Sequence, residues 1–579
     1  MNDQQSTIFG IDLGTTYSCI AYVDSSGKAN VLPNQEHRLT TPSVVLFEQE
    51  TRIVGDEAKN SAILNSDNVV EMIKRHMGEA DWRFYYDGTD YSPEEISSYI
   101  LRKLAIDTEA VLGVQVKDVV ITCPAYFGIA QREATARAGE IAGLHVHEII
   151  SEPTAAAIAY GLQHGRDQVV LVYDLGGGTF DIAIISIKND ATTVIATGGD
   201  HHLGGRDWDE AIVTYLAQQW KEQTGLSDDP LDAPDTLQDL WLKAETAKRA
   251  LTVRDKTRVV VLHAGKTVKV EITNDKFEEL TASLLDRTIT FTKLTLNAAC
   301  KRGYTQFSQI ILVGGSTRMP QVARRLEKEL HLPLRLFEPD EAAAKGAALY
   351  GQRLLLQQNI RTKAAEIQKA TEQVSTMSQS AGRIVGNARS TTSVEEPVEI
   401  PTAILKQAQS AIADTLNIED ESLNKLTASS ITNVASHSFG IIATIDYGTP
   451  RSRKVISNLV RTNDPLPVIQ TKTYGTIEAE QNTVILEIME NTEETWIVEP
   501  EKYTSEAEIG TVTLTLPPGL PEGAPIEVTF EMNSQGRLLV TGRQPDSKRM
   551  INTVFEVKGT MRYDEKQQII SRAKDIKIL

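Results

Sequence analysis

A polyphosphate is gripped by backbone N–H groups that converge on it, and glycine lets the chain come close because no Cβ intervenes. Three segments have that chemistry: Gly14-Thr15-Thr16, Gly176-Gly177-Gly178-Thr179 and Gly314-Gly315-Ser316-Thr317. None carries the G-x-x-x-x-G-K-[ST] pattern of a P-loop. The carboxylates Asp12, Asp174 and Asp181 stand beside these loops. There they could hold Mg2+ mainly through water, since that ion gives up its hydration shell reluctantly. Lys74, in Met72-Ile73-Lys74-Arg75-His76-Met77, and Glu152, in Ser151-Glu152-Pro153-Thr154, are candidates to neutralise phosphate charge and orient an attacking water. Each has a plainer reading when taken singly: Asp-x-Gly-Thr is common turn chemistry, a lone lysine is usually solvated, and a Glu before Pro often opens a helix. Three glycine loops, each fed by an apolar run and two of them alike, point instead to a bound nucleotide.

Those loops need rigid elements behind them. Ile8–Ile11, Val169–Tyr173 and Gln309–Val313 are short β-branched runs that lead straight into the glycines, as buried strands do. Cys19–Val23 and Ile182–Ile187 read as strands returning from the first two loops, so each loop is a hairpin turn. The same device twice predicts a duplicated α/β fold with a ligand cleft between two lobes. From about 354 to 426 the composition shifts to Gln, Ala, Ser, Thr and Glu, with helical patterns over Lys363–Thr376 and Ala403–Leu416 and a linker-like stretch Ser390–Pro397. Beyond Ser430 the period becomes two: Val455–Leu459, Thr483–Met489, Thr511–Leu516, Ile526–Phe530 and Arg537–Thr541 predict an antiparallel β region.

At 579 residues the chain is too long for one core. Its 78 acidic and 59 basic residues give a net charge of −19, an average field that repels nucleic acid and anionic membranes, so neither is expected as a partner. The three cysteines, Cys19, Cys123 and Cys300, are too scattered for a zinc cluster or a disulfide framework. With no signal-like N-terminus and no long apolar run, the expectation is a cytoplasmic protein.

Ile8–Ser18, Glu152–Gly161, Asp174–Asp181 and Leu312–Arg318 together resemble, in order and spacing, the ATPase motifs of the seventy-kilodalton heat-shock chaperones, the DnaK-like proteins. The resemblance is strong from Ile8 to Tyr350. It implies an actin-like ATPase fold, α/β and duplicated, with two lobes and four subdomains around ATP or ADP with Mg2+, and K+ as an optional second cation. Carried over residue by residue, it implies catalytic roles for Lys74, Glu152, Asp174, Thr179 and Asp181, and metal binding by Asp12 and Asp174. Phosphate contacts fall to Thr15 and Thr16, and further cofactor contacts to Asp12, Gly14, Tyr17, Gly176, Gly177, Gly178, Gly204 and Gly205. Nucleoside contacts fall to Glu245, Lys248, Arg249, Thr252, Gly314, Gly315, Ser316, Arg318 and Asp340. Pro124 and Arg132 match the family's interdomain switch pair.

The β region is similar, less closely, to the family's antiparallel β-sandwich peptide-binding domain, through Ser438–Ile441, Asn482–Met489 and Pro525–Phe530. The match implies a pocket for extended apolar polypeptide lined by Ile441, Tyr474, Val484, Leu486 and Ile526, arched over by Thr444 and Ile477. The same alternation also predicts plain core for any of these side chains. The expected division is a nucleotide-binding domain over 1–352, a helical linker insertion over 353–430, the β-sandwich over 431–560 and a short helix or tail over 561–579.

Four departures qualify the resemblance. The long helical lid that usually follows the β domain is replaced by 561–579, where Asp564–Lys577 reads as one short helix, so fast peptide exchange is expected. The family's short interdomain linker is not visible. Glu148 replaces a basic residue tied to J-domain co-chaperone contact, and the Gly78–Tyr91 segment is short; a J-domain partner and a nucleotide-exchange factor are therefore open expectations. Three functions compete: an ATP-hydrolysing chaperone, a nucleotide-binding scaffold for one dedicated partner with little turnover, and a small-molecule kinase of the same superfamily, which the β region argues against.

Overall fold

The computed structural model describes residues 7–164, 167–188, 191–380, 401–416, 419–420, 423, 427, 431–500, 507–545 and 563–579. Two mixed sheets dominate the first 350 residues. In the first, His145–Ser151 and Asp118–Cys123 run parallel to Ile8–Asp12, which pairs antiparallel with Tyr17–Val23, followed by Ala29–Val31. In the second, Leu334–Leu336 and Gln309–Val313 run parallel to Gln168–Leu175, which pairs antiparallel with Phe180–Lys188, followed by Ala191–Asp200. Strand order and direction are therefore the same in both lobes, and the duplication expected from the two Asp-Leu-Gly hairpins is a property of whole sheets. Each central strand is apolar along its length because helices cover both faces.

A helix follows the corresponding strand in each lobe: Glu152–His164 in the first and Ala342–Ser380 in the second. They cross each other between the sheets. A Cβ added at Gly346 would lie 1.8 Å from the carbonyl oxygen of Ala155, so only glycine permits this backbone contact. The helical pattern expected over Lys363–Thr376 lies within Ala342–Ser380, which runs on unbroken from the second lobe. It packs against Thr402–Leu416 through Leu356, Ile360, Ala364, Ala408 and Ala413. The linker-like stretch Ser390–Pro397 lies outside the described residues.

Beyond 430, Ser438–Ile445, Arg453–Val460, Thr483–Asn491, Ile497–Val498 and Glu508–Thr515 form one antiparallel sheet, and Val468–Gly475, Pro525–Met532 and Leu538–Arg543 form another. The inward side chains of both, among them Phe439, Ile488, Val512, Val528 and Phe530, share a single core. From Gly510 to Thr515 burial alternates residue by residue, which is what a strand with one wet face requires.

The C-terminal segment also has a structural role. Helix Tyr563–Asp575 packs on the first lobe, and strand Lys577–Ile578 extends that lobe's small sheet by pairing parallel with Thr51–Val54. Ile569, Ala573, Ile576 and Ile578 enter the same core as Phe47, Tyr91 and Tyr99. Arg572 forms a two-pronged ion pair with Glu95, a carboxylate with no solvent exposure in the first turn of helix Pro93–Leu112. Removing the guanidinium strands that charge, so Arg572→Ala is expected to cost about 2 kcal/mol, less than for a fully buried pair because Arg572 is partly exposed. Chemical denaturation checks it, with Arg572→Lys recovering part of the loss.

Candidate functional site

The two Asp-Leu-Gly hairpins face each other across the gap between the sheets. Their loops interlock so closely that an added Cβ at Gly177 would lie 1.9 Å from Oγ1 of Thr16, and one at Gly178 would lie 2.3 Å from Cγ2 of Thr15. Behind them opens a cavity of about 670 Å3, lined from the first lobe by Asp12, Gly14, Thr15, Thr16, Tyr17 and Lys74. From the second lobe come Asp174, Gly176, Gly177, Thr179, Glu245, Lys248, Arg249 and Thr252, with Gly314, Gly315, Ser316, Arg318 and Asp340. Glu152 completes the floor. The third glycine loop is drawn in by Ser316, whose hydroxyl donates to the Gly176 carbonyl at 2.9 Å.

Four expected residues stand just behind this lining. Gly178 accepts from the Arg75 guanidinium at 3.0 Å, while the Gly204 N–H donates to Asp207 at 2.7 Å. The Gly205 N–H donates to the Gly176 carbonyl at 3.0 Å. Asp181, 1% exposed, accepts the backbone N–H of Tyr126 at 3.2 Å.

Charge is concentrated on the floor. Glu152, Asp174 and Asp181 are buried, Asp12 is half-buried beside them, and one cation, Lys74, is buried among them with Nζ 2.5 Å from Oε1 of Glu152. Burial, then the charge of Glu152, pushes Asp12 up to about 6, even though Thr122 donates to it at 2.8 Å. Burial likewise pushes Asp181 up to about 6, opposed by the Tyr126 N–H. Asp174 is raised well above the usual carboxylate range by burial and by Glu152, Asp181 and Asp12. Burial also opposes the charge on Lys74, but Glu152 and Asp12 prevail and its pKa rises. One ammonium cannot balance four carboxylates, so the site favours a further cation.

The outer wall is helix Pro234–Leu251, opened by Pro234 at its first position. Leu240, Ala244, Ala247 and Leu251 bury one stripe, and Glu245, Lys248, Arg249 and Thr252 lie beside it at i, i+3, i+4 and i+7, facing the cavity. Lys248 is anchored, donating to Asp209 at 2.7 Å and to the Gly205 carbonyl at 2.8 Å. At the cleft mouth the Tyr17 hydroxyl accepts from Lys59 and Arg249, each at 2.8 Å, and donates to Glu245 at 3.1 Å. Glu245 and Lys59 pair at 2.5 Å. Burial works against the Glu245 carboxylate, but Lys59 and Arg249 outweigh it and hold its pKa down at about 2. This network ties one lobe to the other.

Sequence reasoning missed Lys59, Arg206 and Trp241, which also line the cavity; the Arg206 guanidinium stacks 3.4 Å over the Trp241 ring. Trp241 lies four residues before Glu245, so helical spacing could have found it. Lys59 carries no local signal and reaches the site only through tertiary folding.

The switch pair sits on a segment that touches both the floor and the β region. Arg132 donates to the Phe127 carbonyl at 3.1 Å, and Pro124 accepts from the Phe127 N–H at 3.2 Å. One residue away, Tyr126 meets Asp181 on one side and packs edge-on to His437, ring centroids 4.7 Å apart, on the other. Ser436 donates to the Phe127 carbonyl at 3.2 Å, and Ile129 is buried in the β region's own core.

The seven expected peptide contacts divide by exposure. Ile441, Leu486 and Ile526 are buried in the shared core of the two sheets. Val484 and Tyr474 lie at its margin, the tyrosine donating to Ser457 at 3.0 Å. Thr444 is half-buried and Ile477 is 44% exposed.

Comparison with known proteins agrees with this arrangement. The family model described as Hsp70 protein matches residues 8–413. Proteins named "Chaperone protein DnaK" from Thermotoga neapolitana, Thermotoga petrophila and Thermotoga maritima are each 45% identical over 359 residues, covering 60% of this chain and 60% of the relative. The chain thus aligns with about three fifths of the length of these relatives. With well over half of its residues matched by the family model, the chain belongs to the Hsp70 family.

Proposed function

We propose that this chain is an ATP-dependent molecular chaperone, in which Mg2+-assisted ATP hydrolysis in the two-lobed, actin-like part governs the binding of extended apolar polypeptides by a β-sandwich over 431–560. One observation carries the reading: Asp12, Glu152, Asp174 and one lysine face a cavity held between two matched glycine hairpins, with the buried carboxylate of Asp181 just behind them. The DnaK relatives, named as chaperones, support it.

In this reading the N–H groups of both hairpins and of the Gly314–Gly315 loop cradle the phosphates, with the Thr15, Thr16 and Thr179 hydroxyls beside them. Asp12 and Asp174 would hold Mg2+ through water, and that ion would supply charge neutralisation on the phosphates. Lys74 places its ammonium against the terminal phosphate, and Glu152 and Asp181 orient the attacking water and take up its proton as phosphate separates from ADP. Glu245, Lys248, Arg249 and Thr252 hold the nucleoside from one side, and Ser316, Arg318 and Asp340 from the other. The Tyr17, Lys59, Glu245 and Arg249 network closes the mouth and keeps bulk water out.

The 124–132 segment supports coupling between nucleotide and peptide, since it touches Asp181 and reaches the core of the β region through Ile129. Contact of the β region with the first lobe near Glu148 and Glu133 bears on any J-domain partner. Glu148 accepts from Tyr350 and from Gln535 of the β region, and Glu133 is paired with Arg537 at 3.1 Å. Among the described residues no helix is long and apolar enough to cross a membrane.

Three outcomes test this reading. Single-turnover hydrolysis is expected to fall roughly 100- to 1,000-fold in Lys74→Ala, with Mg·ATP still bound by calorimetry; an unchanged rate would remove Lys74 from the chemistry. Adding an unfolded apolar peptide is expected to accelerate hydrolysis in the native protein but not in Ile129→Ala, whose basal rate stays native. Equal stimulation of both would break the proposed path.

The third outcome concerns pH. Asp12 and Asp181 titrate near 6, so both hold protons below that value and are ionised above it. In the metal-free protein these two groups bind more protons folded than unfolded, so their contribution to stability falls as pH rises from about 4 through 6. Mg2+ competes with those protons, so the rise in thermal midpoint on adding Mg·ATP should be larger at about pH 7.5 than at about pH 5. EDTA should abolish the difference.

A further inference from the structure

Far from the cleft, at the N-terminal ends of two neighbouring strands of the first sheet, Asp118, His145 and His147 converge. One carboxylate oxygen of Asp118 lies 2.8 Å from Nδ1 of His145 and 2.8 Å from Nε2 of His147. The two imidazole rings are themselves 4.3 Å apart between centroids. The three ligand atoms all lie within 4.8 Å of one another.

The backbone is built to bring them there. Asp118 and His145 are direct register partners in a parallel pair, and the His145 N–H is fixed at 2.7 Å by the Lys117 carbonyl. The register then shifts between Val119 and Val120, so that His147 is the extra residue of a β-bulge and has no partner of its own in the ladder. Bulges re-aim side chains, and this one lets two residues of the same strand reach one carboxylate. His147 is mostly buried and Asp118 about one-third exposed, which anchors two ligands, while His145 is largely exposed and leaves room for water.

We propose that Asp118, His145 and His147 form a binding site for a divalent transition cation of the Zn2+ class. Two imidazoles and one carboxylate are the donor set that borderline cations such as Zn2+, Co2+ and Ni2+ prefer, whereas Mg2+ and Ca2+ prefer oxygen donors throughout. The cation replaces the protons that the two rings now share with Asp118, and water completes the coordination on the exposed side. It links the starts of two parallel strands. One of them, Asp118–Cys123, leads into Pro124 and the Tyr126 loop, and the other, His145–Ser151, ends directly before Glu152. A cation here therefore braces the two strands whose far ends carry catalytic and coupling residues, about seven residues and roughly 23 Å away.

The experiment is a titration of the full chain with Zn2+ and, separately, Co2+, with Mg2+ held in excess to cover the carboxylates of the nucleotide site. Zinc is expected to bind at one equivalent, and cobalt to give the visible absorption of an imidazole-bound ion. His147→Ala, His145→Ala and Asp118→Asn should each weaken binding roughly tenfold or more, while His331→Asn, at an exposed histidine elsewhere, leaves it unchanged. In the unmutated protein, the imidazole proton resonances of His145 and His147 should shift together on adding Zn2+, a readout that no folding defect can imitate. Zinc affinity equal in native protein and His147→Ala, or shifts confined to other histidines, would overturn the assignment. The outcome is independent of the ATPase reading.

Discussion

Gathering four carboxylates around one lysine, three of them buried, is electrostatically costly, and the molecule is organised around relieving that cost. Asp12 and Asp174 come from equivalent strand ends of the two lobes, Asp181 from the strand that returns after Asp174, and Glu152 from the start of the helix between the sheets. None of the four can leave without dismantling a strand or helix terminus. The raised pKa values of Asp12, Asp174 and Asp181 express the same strain, since each carboxylate is held where its charge is poorly compensated. A cation bridging the lobes, or a change in lobe spacing, alters this energy directly. That gives such a site a reason to couple chemistry to shape.

The lobes approach closely because small residues allow it. Gly346 against Ala155 brings two helices to backbone contact, and Gly177 and Gly178 let one hairpin sit on the threonines of the other. Side chains then close the perimeter: Arg75 reaches from the first lobe to the Gly178 carbonyl and Asp207, and Lys59 reaches to Glu245. These side-chain contacts at the rim are polar, whereas the seam between the sheets is apolar, with Ile8, Val120 and Ala155 packed on Ala347, and each lobe keeps its own large apolar core. Rigid lobes joined by polar rim contacts are suited to hinge-like opening.

Two more distant parts of the chain are built onto the first lobe. The β region reaches it through Ser436, His437 and Ile129, so the segment beside Asp181 is shared between floor and β region. The C-terminal helix and strand dock on the same lobe, with Arg572 neutralising Glu95 and Ile578 adding to a sheet edge that would otherwise be unpaired.

The glycine hairpins, their flanking strands and the duplicated pattern could all be read from sequence, because each rests on local periodicity and on the conformational freedom of glycine, while the Glu245–Thr252 helix face came only from the family resemblance. Strand alternation likewise located Thr483–Asn491, Glu508–Thr515 and Pro525–Met532 to within a few residues. It could not say which inward side chains meet a ligand, and Ile441, Leu486 and Ile526 are placed in the core shared by both sheets. Pairings between distant segments were closed to sequence reading as well: Lys59 with Glu245, Arg572 with Glu95, Lys577–Ile578 with Thr51–Val54, and the bulge that turns His147 toward Asp118. What the sequence determined by itself was therefore every feature set by neighbours along the chain. Which charges became partners was decided only by the tertiary structure, because Coulomb and hydrogen-bond energies depend on distance in space, and that distance is not encoded by separation in sequence.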